Sequence, residues 1–137
     1  MENIIWDPAW NIGHAEIDKQ HQKWVEIFNR LRNAVLSESD EKPDEVQRTT
    51  LKEMLEYTHY HFDSEEKLMK ETNYSEAHGH WRLHKEFDKT VYEKYRGLEG
   101  NALILNSDLL SLMKNWLLGH IQTEDQKFGQ YLSSLSI

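Results

Sequence analysis

Apolar residues recur along this chain at spacings of three and four in four separate stretches, the period of helices that each turn one face toward a core. The first stretch covers about 18–36, where Trp24, Val25, Phe28, Leu31 and Val35 share a stripe with His21. The second covers about 43–70. Its apolar positions, Leu51, Met54, Leu55, Phe62, Leu68 and Met69, sum to a direction close to that of Glu65, with His61 about 40° away. Pro43 suits the first turn of that helix, where a missing N–H goes unnoticed. A third helix is predicted over about 75–96, with Ser75 as its cap and Ala77, His80, His84, Phe87, Val91 and Tyr95 facing inward before Gly97 and Gly100 end it. The fourth, over about 105–132, carries Leu109, Met113, Trp116, Leu117, Ile121, Phe128 and Tyr131 on one side. Residues 1–17 contain Pro8 and Gly13, lack a helical period and read as a loop arm.

Four helices joined by short connections predict an all-α fold, an antiparallel up-down four-helix bundle with an N-terminal arm. A chain of 137 residues leaves room for one core, so 1–137 reads as a single domain. The net charge of −8, with no basic stretch, argues against nucleic acid and anionic membrane surfaces as partners. No segment approaches the ~20 apolar residues of a membrane span, and the amino terminus MENIIWDPAW has no basic head before an apolar run. The expected location is the cytoplasm. Cysteine is absent, so disulfides and thiolate metal sites are excluded and any metal must take nitrogen and oxygen ligands.

Seven polar residues interrupt the apolar faces: His21, His61 and Glu65, His80 and His84, His120 and Asp125. The pairs four apart stack on one side of a helix. Bare imidazoles and carboxylates facing a core are costly unless they are hydrogen-bonded or bind a cation. Without an ion, the carboxylates are expected to repel each other or take up protons, leaving the protein less stable. Three further histidines serve as a control. His59 and His78 each lie two residues, about 200°, from a proposed ligand and should face solvent, while His14 reads as a loop histidine with a local hydrogen bond. On the last helix the period alone chooses Glu124 over Asp125. Glu124 stacks beneath His120, whereas Asp125 is rotated about 140° from it. Other metal chemistries match poorly. Trp81 follows His80 where a zinc protease helix needs glutamate, and the single Glu-x-x-His, Glu56 to His59, falls short of the two that carboxylate-rich di-iron proteins use.

The strings IDKQHQ at 17–22, HFDSEEKLM at 61–69, the H-WRL-H run at 80–84 and WLLGHIQTED at 116–125 resemble the hemerythrins, in particular the single-domain bacterial ones. The resemblance spans nearly the whole chain, fills all seven ligand positions and selects Asp125 over Glu124. It implies two non-haem irons that bind dioxygen reversibly, with His80, His84 and His120 on one iron, His21 and His61 on the other, and Glu65 and Asp125 bridging both. Two octahedral metals offer twelve positions. Five imidazoles, four carboxylate oxygens and two bonds from a bridging oxo or hydroxo group fill eleven of them, leaving one open on the two-histidine iron. Trp24, Phe62, Trp116, Leu117 and Ile121 are the expected walls of a dry oxygen pocket. The implied role is oxygen storage, transport or delivery by a protein that is not an enzyme, with an oxygen-consuming or signalling partner. The alternatives are oxygen or redox sensing through that partner, and peroxide or nitric oxide turnover at the same irons.

Overall fold

The computed structural model describes residues 3–36, 43–99 and 107–135. A 3-10 turn at Pro8–Trp10 precedes α1 (Ala15–Leu36), α2 (Pro43–Glu71), α3 (Ala77–Glu99), α4 (Ser107–Gln122) and α5 (Glu124–Ser134). Helices α4 and α5 together form the fourth rod of the bundle, and there is no strand among the described residues. Pro43 opens α2 as its type predicts. The expected connection at 37–42, the stop at Gly100 and the helical residues 105 and 106 lie outside the described residues.

The helix bounds shift where local hydrogen bonds outweigh the apolar period. Helix α1 starts at Ala15, three residues before the expected position. The His14 ring accepts the Ile17 N–H at 3.2 Å, and the His14 carbonyl accepts that of Asp18 at 2.8 Å. Asp18 is therefore inside the first turn. Its carboxylate reaches back to the amides of Ile12 (2.7 Å) and Gly13 (3.2 Å), and Gly13 supplies the positive φ of 91° that this turn needs. The turn that closes α2 places Asn73 in the left-handed conformation (φ 58°), with the Tyr74 amide returning to the Met69 carbonyl at 3.0 Å. That turn delays α3 to Ala77, so Ser75 precedes the helix by two residues, and α3 continues through Gly97 to Glu99.

Two apolar clusters fill the bundle. The larger runs through Trp24, Phe28, Leu31, Leu51, Met54, Phe87, Leu110, Met113 and Leu117, and the smaller joins Ile12, Ile17, Met69, Tyr74 and Phe128. Along α1, α2 and the fourth rod, the polar residues of interest fall between members of the two clusters: His21 between Ile17 and Trp24, Glu65 between Phe62 and Met69, Asp125 between Ile121 and Phe128.

The arm is more ordered than a loop lacking helical period suggests. Asn29 clamps the backbone of Ile4 with both ends of its amide, at 2.8 and 2.9 Å, and Gln126 donates to the Trp10 carbonyl at 2.8 Å. Gly129 lets the arm lie directly on α5. A Cβ there would sit 2.6 Å from the Ile12 carbonyl oxygen.

Candidate metal centre

All seven expected ligands are buried, and all converge on one point of the core. Helix α1 contributes His21, α2 His61 and Glu65 one turn apart, α3 His80 and His84 one turn apart, α4 His120 and α5 Asp125. Their donor atoms form two groups, each able to hold an ion: Glu65 with His80, His84 and His120, and His21 with His61, Glu65 and Asp125. Glu65 belongs to both. Its Oε1 lies 2.7 Å from His80 Nε2 and 3.4 Å from His84 Nε2, while its Oε2 lies 3.3 Å from His61 Nε2 and 3.6 Å from His21 Nε2. Asp125 is shared in the same way, with Oδ2 3.0 Å from His21 Nε2 and Oδ1 3.1 and 3.3 Å from the Nε2 atoms of His80 and His120.

These short separations are not ordinary hydrogen bonding. Both oxygens of Glu65, both oxygens of Asp125, His61 Nε2 and His21 Nε2 are buried without a properly aligned partner. His120 Nε2 also lies 2.9 Å from His80 Nε2 and 3.1 Å from His84 Nε2, three ring nitrogens aimed at one point. Buried polar atoms are almost always satisfied, so atoms that approach without pairing mark a site built for something else. A nitrogen and oxygen donor set shared by two groups suits a pair of cations of intermediate softness, iron among them.

The electrostatics agree. Burial works against charge on His21 and His80, but contacts with Asp125 and Glu65 outweigh it and lift the two rings to about 9 and about 10. Burial likewise pushes the carboxyls up, yet the surrounding histidines hold Glu65 and Asp125 well below the usual carboxylate range. Without an ion these directions favour protons on His21 and His80 over the carboxylates, because each carboxylate faces several rings, while burial pushes the enclosed His61 ring down. Cation binding must displace these protons, so it weakens as pH falls.

Asp125 faces inward at a distortion of the fourth rod. Thr123, between α4 and α5, is drawn to φ −119° and ψ −74°, and its hydroxyl bonds back to the Gly119 carbonyl at 2.6 Å, a contact that bends helices, while the helical bonds from the Thr123 amide to Gly119 and from the Lys127 amide to Thr123 persist at 3.1 Å. The distortion turns α5 relative to α4. Glu124 turns outward, paired with Lys127 at 3.5 Å, and the continuous period that favoured it does not apply. The control histidines lie apart from the site: His59 is exposed and pairs with Asp88 at 3.3 Å, and His78 stacks on Trp81 with ring centres 5.6 Å apart.

Of the expected pocket walls, Trp24, Phe62, Leu117 and Ile121 are buried and Trp116 is partly buried. The aromatics divide between the two groups. Trp24 lies 5.0 Å from the His61 ring and is held by its indole N–H to Thr58 at 2.9 Å, whereas Phe62 stacks on His84 at 3.8 Å and Trp116 on His120 at 4.4 Å. The sequence reading missed three residues here. Trp6 of the arm stands 6.4 Å from the His21 ring, Gln20 accepts from His61 Nδ1 at 2.9 Å, and Glu66 accepts from His84 Nδ1 at 2.7 Å. Gln20 and Glu66 each adjoin a ligand in sequence, but nothing in the helical period says which ring each would meet.

A family model described as the hemerythrin HHE cation binding domain matches residues 13–132. The chain is 32% identical over 134 residues to a bacteriohemerythrin of Stenotrophomonas maltophilia, covering 98% of this chain and 84% of that protein. It is 31% identical over 125 residues to a bacteriohemerythrin of Pseudomonas aeruginosa, covering 91% and 78%. A crystal structure of wild-type hemerythrin superposes with a TM-score of 0.85 at 20% identity, covering 94% of this chain and 97% of that one, a likeness of fold. With sequence and fold matched over nearly its whole length, the chain belongs to the hemerythrin family.

Proposed function

We propose that the chain is one hemerythrin-like domain that holds two non-haem irons and binds dioxygen reversibly, for storage, transport or delivery. The observation that carries this reading is the sharing of Glu65 and Asp125, each offering one oxygen to either group of histidines. His80, His84 and His120 would hold one iron and His21 and His61 the other, with an oxo or hydroxo group completing the bridge. A pair of ferrous ions supplies the two electrons that reversible dioxygen binding draws on.

The remaining tasks belong to the chain. Glu65 and Asp125 hold the two positions at a fixed separation. The apolar clusters on either side, with Trp24 beside His61, exclude the water that would carry away a reduced product.

Elemental analysis of protein expressed with ample iron should give two irons per chain, and one iron or stoichiometric zinc defeats the di-iron reading. The visible spectrum, recorded after reduction, after air exposure and again under vacuum, tests the function. A band that appears with air and vanishes under vacuum is expected. Irreversible bleaching accompanied by consumption of peroxide or nitric oxide would replace binding with catalysis.

A further inference from the structure

The two groups of ligands are supported differently from behind. On α2, the Glu66 carboxylate lies 2.7 Å from His84 Nδ1 of the three-histidine group, and being an acceptor only, it fixes the proton on Nδ1 and leaves Nε2 bare toward the centre. His61 of the two-histidine group meets Gln20 instead. The Gln20 amide nitrogen donates to Glu16 at 3.3 Å, and since that carboxylate can only accept, the amide oxygen must be the atom that faces His61 Nδ1 at 2.9 Å. Both rings therefore present Nε2 inward as the same tautomer, but one is backed by a full negative charge and the other by a neutral amide. The Glu16 carboxylate stands one residue further back, on the far side of the Gln20 amide, and does not touch the ring. The Nδ1 atoms of His21 and His80 are buried without partners, so neither group gains a second charged support through them.

Resting on the di-iron reading above, we propose that Glu66 is a positioning residue that makes the two metal positions unequal, with the three-histidine position the tighter and the more easily oxidised. A carboxylate drawing on the Nδ1 proton raises the electron density of the ring and its strength as a ligand, and a stronger anionic donor favours the ferric over the ferrous ion. Gln20 aligns its ring without this electronic push. The arrangement places the firmer anchor on the metal expected to be fully coordinated and leaves the weaker one on the metal with the open position.

The test uses full-length iron-loaded protein, first shown to hold two irons, so that failure of the di-iron reading is seen separately. Iron release to a chelator should proceed in two phases, and the reduction potential is followed spectroscopically. Glu66→Gln keeps the shape and the hydrogen bond but removes the charge. The expected result is a ten- to hundredfold faster slow phase and a potential raised by about 59 mV for each tenfold change in ferric over ferrous preference. Gln20→Glu combined with Glu16→Gln, which supplies the missing charge on the other side without setting two carboxylates together, should instead slow the fast phase and narrow the gap. Unchanged release and potential in Glu66→Gln, or equal acceleration of both phases, overturns the proposal. A merely structural role for Glu66 predicts the first of these outcomes.

Discussion

Two regions of the same bundle are equally buried and differ in what they need. The lower core, with Leu31, Leu51, Met54, Leu110 and Met113, is satisfied by its own packing. The layer of His21, His61, Glu65, His80, His84, His120 and Asp125 is carried on the same helices, yet it leaves carboxylate oxygens and ring nitrogens without aligned partners. One region closes by itself, and the other gathers two groups of donors, each able to hold an ion. Burying those donors carries a desolvation cost that the apolar packing on both sides must help to offset.

The largest effect should come from removing the ions. A ligand present at about a thousand times its dissociation constant stabilises the folded state by roughly 4 kcal/mol, so chelated, iron-free protein is expected to melt roughly 10–20 °C below the loaded form. Equal melting temperatures would show that the polar layer is as self-sufficient as the apolar one, and the contrast would be gone.

Next in size is the loss of a single bridging residue. Asp125→Ala should lower metal affinity by more than the roughly ten- to hundredfold typical of residues one step behind the ligands. Glu124→Ala, on the outer side of the same turn, should change stability by less than about 0.5 kcal/mol. Metal content and unfolding of both variants decide this. The reverse ranking would mean that the distortion at Thr123 does not turn α5 relative to α4 in solution.

A cavity in the apolar region sharpens the comparison from the other side. Leu31→Ala is expected to cost about 2–5 kcal/mol, with iron content unchanged and the same loss in loaded and chelated protein, because distant sites add. A loss that disappears in the iron-free protein would show that the two regions are not independent.

A smaller loss than that of the core cavity is expected at the arm. Gly129→Ala places a methyl group 2.6 Å from the Ile12 carbonyl and 2.7 Å from its Cβ, and lifting the arm to make room should cost about 1–3 kcal/mol. Urea unfolding measures the cost, and faster proteolysis within residues 3–14 would locate it. A neutral result would mean that the arm is not held against α5.

What the amino-acid order determined is everything that depends on the helical period. His61 with Glu65 and His80 with His84 are stacked by a spacing of four, and His21 shares its stripe with Trp24 and Phe28, so their inward direction follows from local geometry that tertiary contacts only confirm. The type and order of the helices follow from the same period. Tertiary structure decided what the period cannot express. Asp125 reaches the centre at a distortion of the helix at Thr123, where a side-chain hydrogen bond shares the Gly119 carbonyl with the helical ladder. Glu66 and Gln20 find their rings on other helices, and the arm, without a repeat of its own, is ordered by contacts with residues as distant as Asn29, Gln126 and Gly129. Periodicity encodes which way a side chain leaves its own helix; which group it meets depends on how the helices are set against one another, and that is decided only when the whole core packs.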